Sequence, residues 1–305
     1  MINNKKTQFA ISLCAVIIFV FGLIFFQNQT SQYSFLIAGH PYGEKKPNSR
    51  GIYVPFKQAL LRDKPKVDFG VFAGDSIEHA DEASWKALLQ DIDDVGLDIM
   101  LVPGNHDAPI IEKKQPPGYR FEKRNGSLFV ILNSDDKGKP CHIVDEQLAF
   151  LQATLMQHAA QAENIFVFMH RPIWANHKTR YQHIKNLLAN GLDDCHLGNF
   201  ADDIRPLLYA VGKPVYLVAG DIGGNLITPF YSEDKNIIYI GTGMGGRDEL
   251  SHYLTVDVHG ANISFNIHSL YETPFNDIKS YNMNYWAKEF AFYMKRMQDA
   301  KAGRI

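Results

Sequence analysis

Four apolar runs in this chain each stop at a side chain able to bind a metal. Val71-Phe-Ala-Gly-Asp75 and Val215-Tyr-Leu-Val-Ala-Gly-Asp221 end in Gly-Asp. Ile165-Phe-Val-Phe-Met-His170 ends in His. Leu101-Val-Pro-Gly-Asn-His-Asp107 ends in a turn that offers an amide, an imidazole and a carboxylate together. Short runs of this kind read as buried strands. In layered α/β sheets, sites are built at the carboxyl ends of strands. Asp, Asn and His delivered there suit a divalent metal with mixed oxygen and nitrogen ligands.

The rest of the chain alternates in a way that supports this reading. Strands are expected over residues 35–38, 67–73 and 99–102, with helices over 55–61 and 82–95 between them. In the longer helix, Trp85, Leu88, Leu89 and Ile92 fall at three- to four-residue spacing. Residues 120–133 read as a hairpin around Asn125-Gly126, a two-residue turn signal. A helix over 145–158 carries Leu148, Leu151 and Leu155 in phase. Shorter helices are expected over 181–188 and 201–209. Strands over 237–240, 254–258 and 261–268 follow. A last helix over 283–297 places Trp286, Phe290, Tyr293 and Met297 on one stripe that should pack on the domain. Strands alternate with helices early and form hairpins late, which implies an α/β (α+β) fold with two facing sheets.

Residues 9–26 contain no charge. Eighteen helical residues span about 27 Å, near the thickness of a hydrocarbon core. Lys5 and Lys6 precede the segment, and no Lys or Arg follows until Lys45. That bias puts the N-terminus in the cytoplasm and the rest outside. An uncleaved anchor is preferred to a cleaved signal peptide, because Gln27-Asn-Gln-Thr-Ser31 has no small-x-small cleavage pattern. The chain thus divides into residues 1–30 (tip, anchor and linker), a domain over 31–272, and a helical extension over 273–305. Cys141 and Cys195 lie in the exported part. They either pair in an oxidising compartment or remain buried thiols. Formal net charge is −2, and without Lys5 and Lys6 the exported part stands at −4. It has no basic footprint, so nucleic-acid substrates are disfavoured.

Gly74-Asp75, Gly104-Asn-His-Asp107 and His170 occur in an order and spacing that resembles the calcineurin-like metallophosphoesterase superfamily, over roughly residues 33–270. The resemblance implies a four-layer α/β/β/α sandwich and a metal centre that cleaves phosphate mono- or diesters or pyrophosphates. By that resemblance Asp75 matches a carboxylate bridging two metals. Asn105 and His170 match ligands of the second metal, and Asp221 falls on another. His106 and Asp107 become the catalytic candidates, His106 as a proton donor toward the leaving group. Two motifs depart from the family. Where it has Asp-x-His, this chain has His40-Pro41-Tyr42; where it has Gly-His-x-His, this chain has Gly220-Asp221-Ile222-Gly223. The second position keeps four ligands. The first is weakened or rebuilt from His40 and Tyr42. One or two divalent ions, Mn, Fe or Zn, are therefore expected. Arg171 and Arg247 are candidate substrate contacts, the latter beside the glycine-rich 241–246 segment. Trp174, Asn176 and His177 follow His170, with core packing as the expected job of Trp174.

Two functions follow from different classes. One is a membrane-anchored, outward-facing metal-dependent phosphoesterase acting on a phosphorylated small molecule or a lipid- or sugar-linked phosphate. The other is a catalytically weakened phosphoesterase-fold protein that binds a phosphorylated or glycan partner. The altered motifs motivate the second; the retained His106 argues for the first.

Overall fold

The computed structural model describes residues 31–43, 50–63, 66–135, 139–182, 194–222, 228–245 and 248–301. The expected anchor over 9–26, most of the helix expected over 181–188, Gly223 and Arg247 fall outside these residues. Among the described residues, no helix is long and apolar enough to cross a membrane.

Two sheets face each other. The first runs β11-β10-β1-β2-β3. Its strands β1 (Gln32–Ala38), β2 (Phe69–Phe72) and β3 (Ile99–Leu101) are parallel, and β10 (His252–His259) and β11 (Asn262–Ser269) add an antiparallel hairpin. The second runs β4-β5-β6-β7-β9-β8. There β5 (Ser127–Ile131), β6 (Ile165–Met169), β7 (Val215–Ala219) and β9 (Ile237–Gly241) are parallel. The edges β4 (Arg120–Arg124) and β8 (Phe230–Asp234) are antiparallel. The β8 strand was not anticipated from the sequence.

Strand alternation separates three cores. Phe35, Phe69, Val71, Phe129, Phe166 and Phe168 point between the sheets. Their rings interlock, with Phe35 stacked on Phe69 at 5.2 Å and edge-on to Phe166 at 5.2 Å. The alternate residues Leu36, Phe72 and Leu101 face outward onto α1 (Val54–Asp63) and α2 (Glu82–Val95), meeting Phe56, Leu60, Trp85 and Leu88. On the other flank Val130, Val167 and Leu217 meet Leu151 and Leu155 of α4 (Asp145–His158), Leu208 of α5 (Arg205–Ala210) and Trp286 of α6 (Met283–Lys301). Helices thus cover both outer faces of the paired sheets. A short α3 (Ala108–Lys114) follows the Gly-Asn-His-Asp turn.

Local chemistry sets the element ends. Asp81 accepts the Ser84 amide at 2.7 Å to open α2, and Gly96, at φ 73°, closes it. Asn125 (φ 48°) and Gly126 (φ 76°) make the expected hairpin turn. Two expectations need correction. Leu89 of α2 is exposed, because Trp85, Leu88 and, partly, Ile92 of the stripe face the sheet while Leu89 turns away from it. The helix expected over 201–209 is two pieces, a π-helical turn Phe200–Ile204 and then α5. Pro206 lacks the amide that would continue a regular ladder, and the Arg205 amide reaches back to Phe200 instead. Trp286 of α6 is fully buried and its Nε1 donates to the Pro229 carbonyl at 3.2 Å, so the stripe does begin on the domain.

Candidate metal centre

The carboxyl ends of five parallel strands meet at one edge of the sandwich. From the first sheet, β1 leads to His40, β2 to Asp75 and β3 to the Gly104–Asp107 turn. From the second, β6 leads to His170 and β7 to Asp221. His40 (φ 49°) and Asp75 (φ 54°) are left-handed, a conformation that Asp and His tolerate better than most residues and that clusters at functional sites. Gly74 (φ 88°) must be glycine for a second reason, since a Cβ there would run into the His170 ring. Asp107 is fully buried and accepts the Gly104 amide at 2.7 Å and the Ser76 amide at 2.5 Å. Its carboxylate staples the turn after β3 to the turn after β2. The geometry therefore gives Asp107 a bracing task, whatever else it does.

Five donor atoms converge. His170 Nε2 lies 3.2 Å from Asp75 Oδ2, 3.1 Å from Asn105 Oδ1 and 3.9 Å from Asp221 Oδ1. His40 Nε2 lies 3.4 Å from Asp75 Oδ2 and 3.2 Å from Asp221 Oδ1. Ligand atoms of His40, Asp75 and His170 all fall within 4.8 Å of one another. A tetrahedral centre with bonds of about 2.1 Å has edges of about 3.4 Å. The separations given above, 3.1–3.9 Å, lie around that length. Two imidazoles, two carboxylates and an amide are also the donor chemistry of a divalent transition metal, so the residues fit the ion. His40 lies beside the set of Asp75, Asn105, His170 and Asp221 and shares Asp75 with it, as the sequence reading had its first position share that carboxylate.

Second contacts orient the ligands. His170 Nδ1 faces the Ala73 carbonyl at 3.2 Å, which turns Nε2 toward the carboxylates. Asp75 Oδ1 accepts the His106 amide at 2.9 Å, leaving Oδ2 to the cluster. Charge is balanced within it. Burial alone would raise Asp75 and Asp221, but the His170 and His40 imidazoles outweigh it and hold both below the usual carboxylate range, Asp75 well below. Burial likewise pulls His170 down, yet Asp75 and Asp221 carry it up to about 10. Protonated imidazoles here balance charge that a cation would balance, and a metal needs them neutral, so binding should release protons.

Residues 50–198 match the sequence profile of the calcineurin-like phosphoesterases. Over that span, 149 of the 305 residues, the chain is similar to the calcineurin-like phosphoesterases. The matched span contains Asp75, Asn105, His106, Asp107 and His170; His40, Tyr42 and Asp221 lie outside it. No curated protein matches the chain. Among solved structures, a Streptococcus pneumoniae protein described as a predicted phosphoesterase matches at 11% identity over 79% of this chain and 91% of its own, with a TM-score of 0.37, too low to carry an argument.

Around the cluster the remaining candidates divide by what they touch. His106 is half-buried, and its Nδ1 pairs with the Glu78 carbonyl at 2.9 Å, which leaves Nε2 for another partner. The Tyr42 ring lies 5.4 Å from His106 and 5.8 Å from His40. Burial first, then Asp75 and Asp221, raise the Tyr42 phenol far above its ordinary value, so it stands beside the cluster as a neutral hydroxyl. Arg171 does not face open solvent. Its Nε donates to Asp135 Oδ1 at 2.6 Å, and its backbone amide donates to Ser134 Oγ at 2.9 Å. Burial raises the Asp135 carboxyl even with Arg171 beside it. Trp174 is fully buried in the core, as expected. Asn176 bonds the Gly198 carbonyl, and Cys141 pairs with Cys195. Ser134 and Asp135 were missed in the sequence. The signal was there: Leu128-Phe-Val-Ile-Leu132 is a fifth apolar run, and it ends in Asn133-Ser-Asp135.

Proposed function

We propose that this chain is a metal-dependent phosphoesterase held on the outer side of a membrane by residues 9–26. The observation that carries the reading is the convergence of His40, Asp75, Asn105, His170 and Asp221 at 3.1–3.9 Å, in a chain whose residues 50–198 match the calcineurin-like phosphoesterases. Bound there, Mn, Fe or Zn would act as a Lewis acid on a phosphoryl oxygen. The chain itself supplies the rest. Asp75 and Asp221 provide the negative charge that draws in a cation. Asn105, on an exposed turn, gives a neutral oxygen at the mouth. His106, with Nδ1 engaged by the Glu78 carbonyl, is the group to exchange a proton with the leaving oxygen through Nε2.

The substrate in this reading is a phosphorylated small molecule, or a phosphate linked to a lipid or sugar at the outer face. The Cys141–Cys195 pair supports an oxidising compartment. The charge pattern around residues 9–26 supports an anchor with the N-terminus in the cytoplasm. The deciding measurement is metal analysis of the purified chain beside hydrolysis of phosphomonoesters, phosphodiesters and pyrophosphate with Mn, Fe and Zn. About one ion per chain with hydrolysis is expected. A folded chain that takes up no divalent metal rejects the proposal. One that binds metal and hydrolyses nothing leaves the phosphate-binding alternative in its place.

A further inference from the structure

A run of buried polar contacts links α3 and α4 to the loop after β5 and ends on Arg171. Glu112 of α3 accepts Asn133 Nδ2 at 2.6 Å. Asn133 is pinned twice more by Gln147 of α4, which accepts its amide at 2.7 Å and donates to its carbonyl at 3.0 Å. Asn133 Oδ1 in turn accepts the Asp135 amide at 2.9 Å. Asp135 then takes Nε of Arg171 at 2.6 Å, while Ser134 Oγ holds the Arg171 backbone. Asn133 and Gln147 are each 1% exposed, and the Asp135 and Arg171 side chains are 10% and 11% exposed.

A buried ion pair is weak evidence for stability, because the desolvation of two charges offsets their attraction. This one includes the residue that follows His170 in the chain, and the guanidinium is near enough to feel Asp221 and Asp75. Only Nε is used: neither terminal nitrogen of Arg171 bonds a described residue. A guanidinium with one edge fixed and the other free is preorganised for a tetrahedral oxyanion, which it grips with two parallel N–H bonds. We propose that Asp135 is a positioning residue and that Arg171, aimed by it, holds a phosphate oxygen at this site. The inference rests on the phosphoesterase reading for its location, but phosphate binding can be measured without turnover.

The test uses the full chain loaded with metal, inorganic phosphate as probe, and calorimetric titration beside steady-state kinetics. D135N and R171K should each weaken phosphate binding by roughly 10- to 100-fold, the scale of one charge-assisted hydrogen bond. KM should rise by a similar factor while kcat changes less, and bound metal should not change. D135N/R171K should be no worse than R171K within about two- to threefold, since Asp135 acts through Arg171. D135N preserves shape and R171K preserves charge; if one fails to fold, the other carries the test alone. Wild-type phosphate affinity in either folded variant, additive losses in the double variant, or no phosphate binding by the wild type would each overturn the proposal. Hydrolysis that survives such a result leaves the phosphoesterase reading standing. Arg171-dependent phosphate binding without any hydrolysis would sink that reading and keep this one.

Discussion

The two sheets contribute to the site in different ways. The first supplies His40, Asp75 and Asn105 from short turns within a few residues of their strands. Those turns are fixed by left-handed His40 and Asp75 and by the Asp107 carboxylate, which bonds the Gly104 and Ser76 amides. The second sheet supplies His170 and Asp221 just as directly, yet what surrounds them comes from far away. Arg171 is aimed by Asp135, 36 residues earlier, and the loops on that side are joined by a disulfide between residues 54 apart. One wall is held by hydrogen bonds between neighbouring turns, and the other by an ion pair and a disulfide as well. Perturbing the first should strike chemistry with little loss of stability. Perturbing the second should cost stability as well.

The largest effects should come from the first wall. Asp75→Ala removes the carboxylate oxygen that both His40 and His170 approach. Metal analysis should find no bound ion, and activity should fall beyond the roughly 10²–10³-fold cost of losing one transition-state donor. His106→Ala touches the same turn without removing a ligand. It should keep its metal and slow turnover by roughly 10²–10⁴-fold. A His106→Ala protein that also loses the ion would show that this turn cannot be split into binding and proton transfer.

The same contrast explains what could be read in advance. A buried strand ending in Gly-Asp or Gly-Asn-His-Asp carries its own geometry, so Asp75, Asn105, His170 and Asp221 could be marked from order alone. The apolar runs at residues 35–38 and 165–169 were likewise legible as buried strands, but a run that is apolar throughout does not say which rings lie between the sheets. The approach of His40 to Asp221 was not foreseen, because no local rule says how far a β1 turn reaches across to the second sheet. Asp107 looked chemical in its motif, and only the fold reveals the amides of Gly104 and Ser76 converging on it. Asp135 was invisible as a partner, since pairing across 36 residues follows from sheet order and not from spacing. The strand β8 was missed for the same reason: Phe230–Asp234 is short, and it is made a strand by its pairing with β9.

The next effect belongs to the second wall. Cys141→Ser with Cys195→Ser opens a loop of 54 residues, which chain entropy prices at about 4 kcal/mol. Chemical denaturation should detect that loss. Binding of inorganic phosphate should weaken with it, since Cys141 N bonds the Ser134 carbonyl next to Asp135, while bound metal should be retained. Unchanged stability on mutation would mean that this wall does not depend on its disulfide.

A smaller term distinguishes the first sheet from the metal cluster at low pH. His252, at the start of β10, is fully buried; burial lowers it to about 4, and only the Leu250 carbonyl beside Nδ1 opposes that. Its unfolded counterpart titrates near 6.5, so between these values the unfolded chain binds the extra proton. Stability is therefore full above about pH 6.5 and falls as pH drops toward 4, by up to about 3 kcal/mol. Denaturation at pH 7, 6, 5 and 4 should show this slope. His252→Asn should flatten it, and a slope unchanged by that substitution would assign the acid sensitivity to other groups.

The smallest effect tests whether a left-handed residue is costly by itself. Gly96 closes α2 at φ 73°, its amide bonding the Ile92 carbonyl at 3.0 Å, and a Cβ added there meets nothing within 4 Å. Gly96→Ala should therefore lose only the backbone term, about 1 kcal/mol, and Gly96→Asn should recover part of it. Gly74 has the same sign of φ but faces the His170 ring, so Gly74→Ala adds a collision at a ligand to the same backbone cost. Thermal melts should separate the two by size, and metal analysis by kind: Gly96→Ala keeps the ion and Gly74→Ala does not. If Gly96→Ala also released the metal, the turns of the first sheet would not be independent of the end of α2.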